Sequence, residues 1–302
     1  MVAAGVLAPA VRKRVSTPPL LTQAVAFTAP IGLCVAMRRS RTRDVATCAL
    51  QMWAYLAAYK SPHDDPDVQA RRTHFRYPIV ADRVLGLGEL PSVRLQRMLA
   101  RSGPDGPEWR TLDRVLVWAH WSWFMVPHGA VAYILVRRPR RFVRAAVMTY
   151  AVFDIGASFY WLAPTAPPWY PVSEVGENDE RPAVRRMMVE YGEEFWQDGW
   201  SSLYSVFGGN PLAAMPSLHF ATSLMAALLL AETGAAPGAL GGAYAATLGF
   251  ALVYLGEHYA VDLLAGAALT AGVYRLGPRA GPALARFGRA ISALEAAAHE
   301  TG

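Results

Sequence analysis

The chain has 302 residues, of which 53% are hydrophobic and 17% are charged. A soluble protein of this size usually carries about 25% charged residues. The apolar residues are gathered into runs of roughly 17–25 residues, which is long enough to cross the hydrocarbon core of a bilayer. The net charge of +6 does not indicate a nucleic-acid partner, because the arginines flank the apolar runs and do not line one face. The sequence therefore predicts a polytopic membrane protein.

Six apolar runs predict the core of an all-α membrane helix bundle. These are residues 44–60, 112–136, 142–163, 217–231, 238–257 and 258–276. An earlier run, residues 20–37, is short and contains Pro30 and Gly32, so it either spans as an extra N-terminal helix or lies as a re-entrant or surface helix. Residues 77–100 mix apolar and charged side chains, as interfacial helices do. The predicted parts are an N-terminal extension (1–43), a membrane domain (44–276) and a cytoplasmic tail (277–302).

The strongest orientation signal is the turn Arg137-Arg-Pro-Arg-Arg141. Arginine-rich turns stay in the cytoplasm. Alternation of the spans then brings residues 164–211, His219 and His258 to the extracytoplasmic side. We expect an integral protein of a bacterial cell membrane with its active site facing that side. The two cysteines, Cys34 and Cys48, imply no disulfide framework.

The stretch Asn210-Pro-Leu-Ala-Ala-Met-Pro-Ser-Leu-His219 has the features of a helix start. Pro216 suits the first turn of a helix, where its missing N–H costs nothing. Ser217 can accept a hydrogen bond from a free backbone N–H there. Such a helix start attracts anions, and His219 would lie in its first turn.

A second stretch, Tyr254–Asp262, supplies another histidine and a carboxylate. His258 and Asp262 are four residues apart, so on a helix they share a face and can hydrogen-bond. Two histidines and a carboxylate beside an anion-binding helix end predict phosphoryl transfer through a covalent histidine. His258 would attack phosphorus, Asp262 would orient it, and His219 would exchange protons with the leaving and entering oxygens.

Two other interpretations stay open at this point. Histidine and aspartate are also metal ligands, but no His-Glu-x-x-His or cysteine pair supports a metal site, so neither a metal nor a cofactor is predicted. Buried histidines could instead relay protons in a transporter. A transporter should show paired, interrupted helices in two halves, and the sequence has no such symmetry.

The motifs resemble those of a known family. Met215-Pro-Ser-Leu-His219 and His258-Tyr-Ala-Val-Asp262-Leu-Leu-Ala-Gly266 resemble the second and third motifs of the type 2 phosphatidic acid phosphatase superfamily. Pro164-Thr-Ala-Pro-Pro-Trp-Tyr170 resembles a loop of its inositol phosphorylceramide synthase branch. The resemblance implies membrane lipids as partners, with a phospholipid donor and an alcohol or water as acceptor. It favours transfer of a head group such as phosphoinositol, with lipid phosphate hydrolysis as the runner-up.

The sequence also departs from the superfamily pattern. Leu218 stands where the pattern has glycine, and Leu252 stands where it has arginine. We therefore expect a drier, less cationic site that prefers an alcohol acceptor and a phosphodiester donor. The usual arginine clamp for a phosphate is missing, and the candidates to neutralise the transition-state charge are the helix start at Ser217 and arginines of the polar segments. The candidate arginines are Arg71, Arg72, Arg76, Arg181, Arg185 and Arg186.

Several further residues are candidates for substrate binding. The predicted set is Ser217, Asn210, Asp154, Trp169, Tyr170 and Arg181. Asp154 lies in mid-span, where a charge costs about 2.5–3.5 kcal/mol, so it should face the bundle interior as a recognition group or a packing contact. Trp169 and Tyr170 either anchor the chain at the membrane interface or cover the substrate entrance. His120 and His128 are predicted to pack or line the bundle and not to act as catalysts.

Overall fold

The computed structural model describes residues 1–15, 18–60, 67, 71–104, 106–170, 184–207 and 210–300. Arg181 lies outside the described residues. The described chain is mostly helical and has one short hairpin of two strands. The predicted helical fold class is thus confirmed.

In the described part of the chain, the helices and strands follow one another in this order. They are α1 (Val2–Val15), α2 (Pro19–Ala26), α3 (Thr28–Ala36), α4 (Arg41–Lys60), α5 (Arg76–Leu85), α6 (Pro91–Leu99), β1 (Arg101–Gly103), β2 (Gly106–Glu108), α7 (Thr111–Trp121), α8 (Met125–Arg137), α9 (Pro139–Leu162), α10 (Met187–Trp196), α11 (Asp198–Phe207), α12 (Leu218–Ala231), α13 (Ala235–Tyr254) and α14 (Ala260–Glu300).

Two of these helices, α9 and α13, are long and apolar enough to cross a membrane. Shorter apolar helices cover Val2–Val11, Leu20–Ala36 and Leu218–Ala231 among the residues that are described. The structure therefore supports membrane helices but does not confirm the predicted number of six spans.

Two of the apolar runs are each broken into a pair of helices. Residues 112–136 form α7 and α8 around a turn, and residues 20–37 form α2 and α3 around Phe27. In each case a proline lies early in the second helix, at Pro127 or at Pro30. Because proline has no N–H, it cannot bond the carbonyl four residues before it, and the helix is interrupted there. At the first break the Trp123 carbonyl accepts the N–H of Val126 instead.

The chain divides into two compact units. The first contains the described residues of Met1–Asp64 and of Gly272–Gly302. Within it, the buried Arg43 donates to the carbonyls of Cys34 and Met37 and pairs with Glu295 at 2.9 Å. The predicted part boundaries at residues 43 and 276 stay predictions, although α14 continues through the expected tail as a helix.

The second unit, Asp65–Ala271, contains all of the described candidate site residues. Its central helix is α12, which packs against α8, α9 and α13. The side chains of Ala221, Met225 and Ala226 on α12 are fully buried. Burial on several sides fixes the axis of α12, and with it the position of His219 in its first turn.

Candidate active site

Three loop segments meet at the N-terminal end of α12. The segment with Thr165 lies between the segment with His74 and the segment with Ala213. The Thr165 N–H donates to the Leu212 carbonyl (3.0 Å), and the Ala214 N–H donates back to Thr165 (3.1 Å). On the other side the His74 N–H donates to the Pro164 carbonyl at 2.8 Å. The loop that carries the Pro164–Tyr170 motif is therefore held like the middle strand of a small sheet.

The start of α12 is fixed by hydrogen bonds from both directions. Ser217 is its N-cap, and the Ser217 hydroxyl accepts the N–H of Phe220 at 3.3 Å. Pro216 therefore lies just outside the helix and not in its first turn as predicted. The Tyr160 hydroxyl donates to the Pro216 carbonyl at 2.8 Å. Upstream, Asn210 is buried and accepts the Leu212 N–H on its side-chain oxygen at 3.0 Å, which closes the turn before the motif.

His258 and Asp262 are joined, but not on the face of one helix as predicted. Helix α14 begins at Ala260, so His258 lies in the bend before it. One Asp262 oxygen accepts the N–H of Tyr259 at 2.9 Å and lies 3.2 Å from His258 Nδ1. A carboxylate in the first helical turn that bonds back to the N-cap N–H is half of a capping box. The same interaction orients the carboxylate toward His258.

The second ring nitrogen of His258 faces the other histidine. His258 Nε2 lies 3.1 Å from His219 Nδ1. Because Asp262 is an acceptor, His258 carries its proton on Nδ1 and has a lone pair on Nε2. His219 must then donate from Nδ1. The chain of contacts Asp262–His258–His219 therefore places one nucleophilic nitrogen against one proton donor.

A third histidine, His120, lies against this pair. Its ring stacks on His219 with centroids 5.0 Å apart, and Trp123 contacts His219 from 4.2 Å. Both ring nitrogens of His120 are buried without a hydrogen-bond partner among the described residues. Sequence reasoning assigned His120 only to packing or lining. Only the structure shows that both nitrogens are buried and, within the described part of the chain, unpaired, which costs free energy. A hydrogen bond to a substrate oxygen would reduce that cost.

Arg186 and Glu257 form a charged pair beside the histidines. Arg186 Nε and Nη2 donate to the two Glu257 oxygens at 3.0 and 3.2 Å. The guanidinium carbon lies 3.9 Å from the centroid of the Trp169 ring. Burial lowers the pKa of Arg186, but the charge and hydrogen bonds of Glu257 together with Tyr204 outweigh that effect and raise it. Glu257 directly precedes His258 in the chain, so the pair belongs to the same site.

Arg186 and Glu257 are brought together by two contacts between the backbone segments that lead up to them. The Gln96 amide donates to the carbonyls of Arg185 and Tyr254 at 2.8 and 3.0 Å. Gly256 has φ +82°, and a side chain there would come within 2.4 Å of the Arg185 carbonyl. Glycine is thus required where the two segments touch. Arg185 itself turns away and pairs with Glu190.

Asp82 reaches the site from α5. It is fully buried, and one of its oxygens accepts the Val261 N–H at 2.9 Å. It therefore caps the start of α14, the helix that carries Asp262. Burial raises the pKa of Asp82 to about 6, and the hydrogen bonds from Val261 and Ala260 only partly oppose this.

The remaining predicted residues are placed as follows. Trp169 covers Arg186, whereas the Tyr170 ring lies against Phe75 with centroids 5.7 Å apart. Asp154 lies in the middle of α9, and its carbonyl accepts the Ser158 hydroxyl at 3.0 Å. Neither histidine of the pair hydrogen-bonds Asp154 in the described part of the chain. Arg181 cannot be placed, because it lies outside the described residues.

No curated protein and no solved structure is similar enough to be matched with the chain. The family model described as PAP2 superfamily matches residues 108–276, which is more than half of the chain. The match includes both histidines, Asp262, Arg186 and Glu257. Members of this superfamily are phosphatases or phosphotransferases. Together with α9 and α13, the match indicates a membrane protein. The chain belongs to the PAP2 superfamily.

Proposed function

We propose that the protein is a membrane-embedded phosphotransferase that acts on phospholipids through a phosphohistidine. It moves a phosphorylated head group, such as phosphoinositol, from a phospholipid donor to an alcohol acceptor. The observation that carries this proposal is the contact chain in which His258 lies 3.2 Å from Asp262 and 3.1 Å from His219. A covalent mechanism gives each of the three groups a role: Asp262 orients the nucleophile His258, and His219 transfers protons.

In the first step His258 Nε2 attacks phosphorus. The bond between phosphorus and the diacylglycerol oxygen breaks as the N–P bond forms, and His219 in its protonated form gives its proton to that oxygen. The phosphorylated His258 ring carries positive charge, which the Asp262 carboxylate at Nδ1 stabilises. Because His219 occupies the nucleophilic nitrogen in the free protein, substrate binding has to part the two rings.

In the second step the acceptor takes over the head group. His219, now neutral, removes the proton of the acceptor hydroxyl while its oxygen attacks phosphorus. The N–P bond breaks, the phosphodiester product leaves, and His258 regains its lone pair. Water in place of the alcohol would give hydrolysis by the same two steps, which is the chemistry of the phosphatases in the superfamily.

Three groups are suited to binding the phosphoryl oxygens. Arg186 supplies the guanidinium that is missing at Leu252 and is held beside the histidines by Glu257. The N-terminus of α12, capped by Ser217, offers backbone N–H groups and its positive dipole end. His120 has two buried ring nitrogens without a partner among the described residues, so a neutral His120 can donate to a phosphoryl oxygen. In this proposal the site faces the extracytoplasmic side of a bacterial cell membrane.

The deciding experiment supplies purified protein with lipids in mixed micelles. One reaction contains phosphatidylinositol and a lipid alcohol such as ceramide, and the other contains phosphatidic acid alone. We expect a new inositol phosphate lipid and diacylglycerol in the first reaction, detected by mass spectrometry. Fast phosphate release from phosphatidic acid with no transfer product from any diester would establish a phosphatase instead.

A further inference from the structure

Glu257 is a carboxylate that the two proposed steps leave unused. It directly precedes His258 in the chain and is 8% exposed. The N–H groups of Glu257 and His258 both donate to the Leu252 carbonyl at 3.0 Å. The position of the carboxylate is therefore fixed relative to the nucleophile by the backbone turn that follows α13.

The charge of Glu257 cancels the charge of Arg186. The two side chains form a bidentate pair, and the Trp169 ring covers the guanidinium. Ion pairs of this geometry are strong where water is excluded. Arg186 can still donate hydrogen bonds to a substrate. Unlike a free arginine clamp, however, the Arg186–Glu257 pair as a whole adds no net positive charge.

This arrangement bears on how many negative charges the bound phosphate can carry. A phosphomonoester carries about −1.5 to −2 charges at pH 7, whereas a phosphodiester carries one. At an effective dielectric constant of about 20, the repulsion between an added unit charge and a nearby carboxylate weakens binding by at least about tenfold. A dianion therefore suffers more from Glu257 than a monoanion does. The other carboxylate, Asp262, is already engaged with His258.

We infer that Glu257 is a specificity-determining residue that selects phosphodiesters over phosphomonoesters. It acts through charge, and it neither forms nor breaks a bond with the substrate. This inference rests on the proposed phosphoryl transfer and names the substrate class of that site. The preference for diesters then comes from the placed carboxylate of Glu257.

A matched pair of lipids isolates the charge. Phosphatidic acid and phosphatidylmethanol share the same diacylglycerol leaving group, and a single methyl ester removes one negative charge. With the same lipid alcohol present as acceptor in every reaction, diacylglycerol release from each is measured for the unmodified protein, Glu257→Gln and the control Glu190→Gln. The control removes the carboxylate that pairs with the neighbouring Arg185 and so makes the same change in net charge.

The unmodified protein is expected to cleave phosphatidylmethanol faster than phosphatidic acid. In Glu257→Gln the ratio of kcat/KM for phosphatidic acid to that for phosphatidylmethanol should rise at least about tenfold, while Glu190→Gln leaves it unchanged. An unchanged ratio in an active Glu257→Gln protein, or an equal rise in the control, would overturn the inference. Should Glu257→Gln not fold, a preference of the unmodified protein for phosphatidic acid overturns it as well. Failure of the unmodified protein to cleave either lipid would instead contradict the proposed function.

Discussion

The Leu218 side chain fills the space that Gly156 leaves on the neighbouring helix α9. A Cβ at position 156 would lie 2.2 Å from one Leu218 methyl carbon and 3.0 Å from its Cγ. Leu218 is 3% exposed. The residue that departs from the superfamily pattern is thus directed into the α9–α12 interface. Leu218 therefore has a packing role, and the drier phosphoryl site stays a prediction.

Gly156→Ala is expected to destabilise the protein, because the added methyl group overlaps a buried side chain that has little room to move. Overpacking of this kind costs about 1–3 kcal/mol. The apparent Tm in detergent should fall, and activity should fall with it, since Leu218 adjoins His219. The control is Gly129→Ala on α8, where nothing lies within 4 Å of the added Cβ. Equal Tm values for the two variants would contradict the packing argument.

His258→Ala should abolish turnover and the covalent intermediate together. The nucleophile is lost, so we expect a decrease of at least about a thousandfold in kcat. Rapid quenching of the unmodified protein with labelled donor should trap an acid-labile phosphoprotein that the variant lacks. His128→Ala is the matched control, because His128 Nδ1 is bonded to the Phe124 carbonyl and not to the histidine pair. Near-normal activity of His258→Ala would rule out the covalent mechanism.

His120→Phe tests the third histidine. Phenylalanine keeps a ring against His219 but removes both buried nitrogens. If His120 donates to a phosphoryl oxygen, kcat/KM should fall roughly tenfold to a hundredfold, the amount typical of one lost hydrogen bond to a charged group. The apparent Tm should stay unchanged or rise, since unpaired buried polar atoms are removed. Unchanged kinetics with a higher Tm would leave His120 with packing alone.

The sequence could predict the motif residues because each motif is local. The Asp262 carboxylate and His258 are four residues apart, and Ser217 and His219 share one helix start. The contacts it could not predict join distant segments: Arg186 with Glu257, His120 with His219, and Asp82 with Val261. Those pairs depend on how α5, α7 and the segment before α10 pack around α12 and α14. Local pattern carries no such information.

Orientation in the membrane is tested by cysteine labelling in a Cys34→Ser, Cys48→Ser background. Arg140 lies in the arginine-rich turn at the start of α9, and the exposed Ser201 lies on α11. An impermeant thiol reagent should label Ser201→Cys in intact cells. It should label Arg140→Cys only after the cells are opened, because arginine-rich turns stay in the cytoplasm. The reverse pattern would place the histidine pair on the cytoplasmic side.

The Asp82 cap makes stability depend on pH in a direction that can be stated in advance. Its pKa is about 6 in the folded protein against 3.8 for the free side chain. Between these values the folded state binds more protons than the unfolded state, so the free energy of unfolding falls as pH rises from about 4 to 6. The stability that the protonated Asp82 contributes to the folded state is fully present below pH 4 and lost above pH 6. It amounts to at most about 3 kcal/mol, since one pKa unit corresponds to about 1.36 kcal/mol.

Asp82→Asn should remove this slope while keeping the cap, because the side-chain amide oxygen can still accept the Val261 N–H. The apparent Tm of the unmodified protein minus that of Asp82→Asn should therefore be largest at pH 4 and smallest at pH 7. Glu89→Gln is the control, because its effect on Tm should change with pH in the opposite direction. The hydrogen bond from Arg97 holds the pKa of Glu89 below its usual value, so that carboxylate contributes stability that is lost as pH falls. A Tm difference for Asp82→Asn that does not change between pH 4 and 7 would show that Asp82 titrates as it does in the unfolded chain.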